Sequence, residues 1–173
     1  MGEAATIRIE ELTKSDLDQV IAIEQASFTM PWSRNLFLSE FRNQKVSLML
    51  VARSREDVSK VVGYIVCWVV ADELHILDLA TEPSCRRSGV ARKLVLAAIR
   101  KGNERGALRV FLEVRASNTA ALLLYDGLGF SRTQVRTGYY DIPMEDAVVM
   151  TLERDALESL LIQTEENRSL GTE

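Results

Sequence analysis

The sequence predicts an α/β protein built on one mixed sheet with helices on both faces. Three observations carry this. Runs rich in Val, Leu and Ile alternate with helix-period stripes in the order β-α-α-β-β-β-α-β-α-β-β. The 173 residues, 47% of them apolar, suffice for one core without staples. No internal repeat, low-complexity tract or linker divides the chain. Residues 1–162 therefore read as one domain, and 163–173 as a polar tail that frays.

Each element has a local reason. Thr6 to Glu10 alternates apolar and polar residues, as a strand does. Thr13 or Ser15 can cap a helix running to about Phe28, with Leu17, Val20, Ile21 and Ile23 on its buried stripe. Pro31 breaks the chain, and Ser33 can cap a second helix carrying Leu36, Phe37, Glu40 and Phe41. Ser47–Arg53 and Val61–Val70 read as strands joined by the charged loop Ser54–Lys60, and Leu74–Thr81 as a further strand ended by Pro83. Gly89 opens a helix to about Arg105, with Val90, Leu94 and Ala98 on one stripe and Val95 and Ile99 widening it. Leu108–Val114 is a strand, and Asn118 can cap a helix through Leu128. Two late strands are expected near Ser131–Arg136 and Val148–Glu153, linked by a loop carrying Tyr139, Tyr140 and Pro143. Asp155–Ile162 adds a terminal helical turn or two.

Composition excludes several classes. A net charge of −4 argues against a nucleic-acid binder and permits a cationic substrate. Cys67 and Cys85 form no CxxC pair and have no histidine cluster, so no metal site is expected. Both read as thiols of a reducing compartment. No apolar stretch approaches a membrane span and no signal-peptide core is present, which together predict a cytoplasmic protein. Met1 to Thr6 fits the loose myristoylation pattern, but that pattern is short and common, and an unstructured start explains it as well.

The chemistry begins where strand Leu74–Thr81 turns through Arg86-Arg87-Ser88-Gly89-Val90-Ala91 into a helix. The first helical turn has unpaired N–H groups and the positive end of the helix dipole. Small residues at Ser88, Gly89 and Ala91 let a ligand reach the backbone, and a pyrophosphate suits such a site. Arg86, Arg87, Arg92 and Lys93 add charge around it. Alone, such a turn is more often a solvated junction, and the spacing matches neither GxxxxGK[ST] nor GxGxxG.

Leu77-Asp78-Leu79-Ala80-Thr81, followed by Arg86-Arg87-Ser88-Gly89-Val90-Ala91, resembles the core motif of the GNAT acetyltransferases. Leu112-Glu113-Val114-Arg115-Ala116-Ser117-Asn118 and Leu124-Tyr125-Asp126-Gly127-Leu128-Gly129-Phe130 are similar to the signature of its ribosomal-protein alanine N-acetyltransferases. Pro31-Trp32-Ser33 and Tyr139-Tyr140 ahead of Glu145-Asp146-Ala147 extend the likeness to nearly the whole chain. The resemblance implies a GNAT-type, mostly antiparallel sheet and acetyl-CoA as cosubstrate. It further implies a protein N-terminus as acceptor, that of a small-subunit ribosomal protein, with no direct nucleic-acid or membrane partner. By the same likeness, Arg86 to Arg92 hold the pyrophosphate, while Leu79, Ala80 and Thr81 pair with the pantetheine arm like an added strand. Asn118 contacts that arm. Ala91 at the last small position and Thr81, where the family often has Val, are mild departures.

The resemblance also assigns Glu113 as general base, directly or through water, and Tyr125 as acid to the departing CoA thiolate. A backbone N–H near Leu79 would face the oxyanion. Direct proton transfer from an α-amine to a carboxylate is uphill by about 5 kcal/mol, although about a tenth of the amine is already neutral at pH 7. For lysine that neutral fraction is roughly 300 times smaller. Transfer from a phenol to a thiolate is uphill by about 2 kcal/mol. From the residues alone, Glu113 fits equally a structural carboxylate paired with its same-face neighbour Arg115. Tyr125 fits a core aromatic and Asn118 a helix cap. Trp32, Tyr139 and Tyr140 are candidates for the acceptor groove or for ordinary packing. Asp126 and Glu145 could attract a cationic peptide or sit solvated. His75, the single histidine, could relay a proton or simply pack on its strand. An acceptor other than an N-terminus (protein lysine or a small amine) and a non-catalytic CoA-binding role remain alternatives.

Overall fold

A computed structural model describes residues 7–169. The strands are β1 (Ile7–Glu11), β2 (Ser47–Ser54), β3 (Val61–Val70), β4 (Glu73–Thr81), β5 (Arg109–Arg115), β6 (Ser131–Asp141) and β7 (Met144–Leu152). The helices are α1 (Leu17–Ser27), α2 (Arg34–Arg42), α3 (Val90–Glu104), α4 (Thr119–Asp126) and α5 (Arg154–Ser169). The strands form one sheet in the order β1-β2-β3-β4-β5-β7-β6. Every neighbouring pair is antiparallel except β4–β5. A parallel pair needs a long crossover, and α3 supplies it.

The sheet separates two cores. On one face α3 lays Val90, Leu94, Val95, Ala98 and Ile99 against Leu50, Ile65, Leu74 and Val110, joined by Tyr125 of α4 and Leu157 of α5. On the other, Leu17, Val20 and Ile23 of α1 and Phe37 of α2 cover Val51, Tyr64 and Val66. The α3 stripe and the Ser33 cap form as expected, the Ser33 hydroxyl accepting the Leu36 N–H at 3.3 Å. At Asp16 the chain makes a short 3-10 turn before α1, because its buried carboxylate caps the Thr13 N–H at 2.9 Å and binds Arg53 at 2.7 Å. Gly63 lets α3 approach β3: a Cβ there would lie 2.9 Å from Val90 Cγ1 and 3.0 Å from the Ala80 carbonyl.

Two expectations need correction. The segment carrying Tyr139 and Tyr140 is strand, not loop, and only Ile142 and Pro143 turn between β6 and β7. Its pattern is silent because β6 is an edge strand, solvent-exposed at every residue but Tyr140. A strand with no buried face carries no apolar alternation. The expected fray from Gln163 does not hold as far as Ser169, for α5 continues to that residue. No helix breaker intervenes, Leu160 and Leu161 pack on the core, and the Ser169 hydroxyl donates to the Glu165 carbonyl at 3.0 Å. The myristoylation pattern at Met1–Thr6, with Thr6 of the first expected strand, lies outside the described residues.

Candidate active site

The site is a gap in the sheet. The β4–β5 ladder ends at Ile76 opposite Leu112, yet β4 runs on to Thr81 and β5 to Arg115. Leu77 causes the parting: Val66 pairs with Asp78 but Cys67 with Ile76, so Leu77 is a bulge that bends β4 away. β5 meanwhile stays zipped to β7 as far as Arg115 opposite Ala147. The Glu82 N–H donates to the Val62 carbonyl at 2.9 Å, which sets the phase of the β3–β4 ladder. By alternation, Ala80 bonds to β3, whereas the N–H and C=O of Leu79 and Thr81 point into the gap. A cleft of about 510 Å³ opens there. Because it passes between strands, side chains from both faces reach it: Trp32, Tyr139 and Tyr140, then Leu79 and Glu113, then Asn118 and Tyr125.

At the far end of β4 the chain makes a 3-10 turn, Pro83–Cys85, before α3. Arg87 and Gly89 both take left-handed conformations, φ +63° and +84°. For Gly89 the conformation, not the space, demands glycine, since nothing lies within 4 Å of a Cβ there. The Ser88 hydroxyl braces the turn on the Cys85 carbonyl at 2.5 Å. Successive N–H groups of such a turn form a concave anion seat ahead of the α3 dipole. Arg87, Arg92 and Gly89 are exposed around it, Ala91 is half-buried, and Val90 anchors the helix in the core. Arg86 reaches to the edge of the cleft: its Nε donates to the Thr81 carbonyl at 3.3 Å and its guanidinium to Oγ of the cleft-lining Ser27 at 3.1 Å.

Glu113 projects from β5 into the cleft, but its partner is not Arg115. Arg136 of β6 reaches across β7 at Ala147 to hold it at 2.6 Å. Arg115 is drawn instead to Glu145 at 3.3 Å and to the Ile142 and Pro143 carbonyls, both at 3.1 Å, and it lies 4.1 Å over the Tyr140 ring. A hydrogen bond with Glu113, together with partial burial, raises the Tyr139 pKa. On the opposite face Tyr125 is 4% exposed, its ring 5.3 Å from that of Phe130. Burial, then the nearby Cys67 and Asp78, push its phenol well above the usual range, so it is held protonated. Asn118 caps α4 through the Ala121 N–H at 3.1 Å while lining the cleft.

Residues 17–130 match the sequence model of the acetyltransferase (GNAT) family. The chain belongs to that family. It is 34% identical over 147 residues to the ribosomal protein bS18-alanine N-acetyltransferase of Haemophilus ducreyi, which covers 83% of this chain and 98% of that protein. The structure superposes on the crystal structure of the Escherichia coli ribosomal-protein-S18-alanine N-acetyltransferase with a TM-score of 0.77, at 32% identity, over 86% of this chain and 94% of that one. A chain of the NatC complex bound to Gag peptide and CoA matches with a TM-score of 0.76 at 26% identity, over 85% and 98%. The protein is thus an acetyl-CoA-dependent N-acetyltransferase. The parted strands, the outward backbone of Leu79 and Thr81 and the left-handed turn at Gly89 suit a long, phosphate-bearing thioester.

Other expected residues of this acetyltransferase divide. Trp32 lines the cleft mouth, its N–H donating to Glu24 at 2.6 Å and its ring 5.4 Å from Phe37. Tyr139 and Tyr140 form the facing wall, edge to face at 5.2 Å. His75 is not at the cleft: it is held by Glu73 at 2.8 Å and stacked on Phe111 at 5.5 Å, its cross-strand neighbour. Asp126 is committed to Arg132 at 2.6 Å, and Glu145 to Arg115 and to the Ser117 N–H at 2.5 Å, so neither offers a free charge to a peptide.

Sequence reasoning missed Arg136, Asp141 and a buried trio, Glu24, Tyr64 and Asp78. Glu24 had a signal. It lies four residues after Val20 and seven after Leu17, a charge on the apolar stripe of α1.

Proposed function

We propose that the enzyme moves the acetyl group of acetyl-CoA to the N-terminal α-amine of a protein, the N-terminal alanine of small-subunit ribosomal protein bS18. The observation that carries the reading is that one through-sheet cleft joins Glu113, Tyr125 and the Leu79 backbone beneath an aromatic mouth. Relatives named for this acceptor, matched over nearly their full length, support it. The chain acts as one acetyltransferase domain that includes all of α5, in the cytoplasm, with a protein N-terminus rather than nucleic acid as partner. Among the described residues no helix is long and apolar enough to cross a membrane.

Acetyl-CoA would lie along Leu79 and Thr81, its pyrophosphate on the N–H groups of the turn Arg87 to Ala91. Arg87 and Arg92 supply the surrounding charge, and Asn118 flanks the arm. Trp32, Tyr139 and Tyr140 orient the peptide. The neutral amine attacks the acetyl carbon, the N–C bond forms and the C–S bond breaks. The amine proton leaves toward Glu113. Arg136 already holds one Glu113 oxygen at 2.6 Å, and any carboxylate is a weak base toward an α-amine, so transfer through a held water suits it better than direct abstraction. The Leu79 N–H donates to the developing oxyanion. Tyr125 faces the sulfur; its raised pKa makes outright transfer costlier and favours stabilisation of the thiolate by hydrogen bonding.

The test is an acceptor panel. Peptides bearing the bS18 N-terminus should be acetylated on the α-amine, and peptides with a blocked N-terminus and internal lysines should not. Turnover of lysine peptides or small amines alone would replace this acceptor, and CoA binding without transfer to any acceptor would replace the catalytic reading.

A further inference from the structure

The cleft wall holds two carboxyl groups that the mechanism does not use. Glu24 of α1 and Asp78 of β4 are 1% and 8% exposed, and both converge on the hydroxyl of Tyr64 of β3. Asp78 Oδ2 lies 3.0 Å from that hydroxyl, and Glu24 Oε2 is also hydrogen-bonded to it. Among the described residues neither carboxyl forms an ion pair with a lysine or arginine.

Counting hydrogens requires one proton on the carboxyl pair. The Tyr64 hydroxyl owns one hydrogen, so it can donate to one carboxyl only. Two bare carboxylates around one phenolic oxygen would repel strongly at this depth. The arrangement closes with one carboxyl neutral, and Glu24 is the one that also accepts a backbone N–H, so the charge sits there: the Asp78 O–H donates to Tyr64, Tyr64 donates to Glu24, and the other Glu24 oxygen accepts the Trp32 backbone N–H at 2.6 Å. Burial and the charge of Glu24 push Asp78 up to about 8, in keeping with that count. The other titratable groups facing Asp78 do not supply a free cation. Tyr125 approaches from α4, Glu113 and Arg115 stand on β5, and Tyr139, Tyr140 and Asp141 on β6, with Arg115 engaged by Glu145.

We propose that Glu24, Tyr64 and Asp78 are positioning residues for acetyl transfer: a buried chain holding one carboxyl proton, which ties the acceptor loop at Trp32 to the β4 backbone at Leu79. Protonated, Asp78 places no negative charge beside the carbonyl that becomes an oxyanion. Ionised, it attracts the Leu79 N–H, the donor the oxyanion needs, and it competes with Glu24 for the single Tyr64 hydrogen. Its active form is therefore neutral, and activity falls as pH rises through about 8. The catalytic consequence rests on the proposed function; the proton itself does not.

Two measurements separate these. Infrared spectra of the ligand-free enzyme should show a protonated-carboxyl stretch at neutral pH that disappears with a midpoint near 8 and is absent in Asp78→Asn. In Glu24→Gln the midpoint should fall, because burial remains but the repelling charge is gone; that variant also decides the matter if Asp78→Asn fails to fold. Absence of the band in wild type, or an unmoved midpoint in Glu24→Gln, overturns the proposal. In the kinetic arm, the ratio of kcat/KM at pH 9 to that at pH 7 should be about tenfold larger in Asp78→Asn than in wild type, because one pH unit above the midpoint leaves about a tenth of Asp78 neutral. An equal ratio in the two enzymes overturns the positioning role. Failure of every acceptor peptide would strike the proposed function and leave the infrared result standing.

Discussion

Replacing Glu113 with Gln removes one charge and keeps the shape of the side chain. Its 2.6 Å pair with Arg136 is 29% exposed on the carboxylate side and 44% on the guanidinium side. So exposed a pair contributes at most about 1 kcal/mol after solvent screening. Unfolding should then shift by no more than about 2–4 °C. Turnover is a different matter. A general base contributes about 10²- to 10⁴-fold. The low end applies here, because about a tenth of an α-amine is already neutral at pH 7. We expect kcat to fall about 100-fold, some 2.7 kcal/mol of barrier, with KM for acetyl-CoA nearly unchanged. The deficit should shrink toward pH 9 as the amine deprotonates without help. An internal marker is available: Glu113 raises the pKa of Tyr139 and, after burial, of Tyr140, so ultraviolet titration of the variant should show two tyrosines ionising earlier. Initial rates with a bS18 N-terminal peptide, thermal unfolding and that titration together form the assay. A kcat within about threefold of wild type would refute the base assignment. A loss of activity matched by unfolding would recast Glu113 as structural.

Tyr125→Phe should also cut kcat by about 10²-fold with CoA affinity retained in calorimetry, since it deletes one hydroxyl at the cleft and no packing; an unchanged kcat excludes the thiolate role. Gly63→Ala should cost about 1–3 kcal/mol through overpacking and lower the unfolding temperature by roughly 2–12 °C, because the Ala80 carbonyl is held in the ladder and α3 must give way. It should also raise KM for acetyl-CoA by shifting the turn at Gly89, and an unshifted melt would show that α3 yields freely. Asp16→Asn should cost about 1–3 kcal/mol at neutral pH. Burial by itself would raise the Asp16 pKa, but hydrogen bonds from Thr13 and Arg53 outweigh it and hold the carboxyl below its ordinary 3.8. That stabilisation is present above the unfolded pKa and lost as pH falls through the folded one, so the gap in melting temperature from wild type should close below about pH 4.

Most of the architecture was legible because the signals are local. The α3 stripe, the Ser33 and Asn118 caps and the runs of β3 and β4 each speak within a few residues of sequence, and each stands where expected. The outer halves of β6 and β7 were legible, but their ends at the hairpin turn, with Tyr139 and Tyr140, were not, because an edge strand exposed on both faces has no burial pattern to read. The partner of Glu113 failed for a related reason. Arg115 is two residues away on the same face, but the hairpin carbonyls and Glu145 compete for it, and Arg136 becomes a neighbour only through the register of β6 on β7.

The sequence by itself determined a one-sheet α/β chain, a phosphate-suited turn at Arg86 to Ala91 and, through its motifs, the acetyltransferase family. Those depend on residue spacing along one element or one turn. The tertiary structure decided that a bulge at Leu77 parts β4 from β5, that Leu79 and Thr81 turn their backbone into the gap, that Arg136 holds Glu113, and that Glu24 and Asp78 converge on the one hydroxyl of Tyr64. Register and burial bring together groups 23 to 54 positions apart, as Arg136 with Glu113 and Asp78 with Glu24. Spacing along the chain does not encode those meetings, because strand pairing sets them.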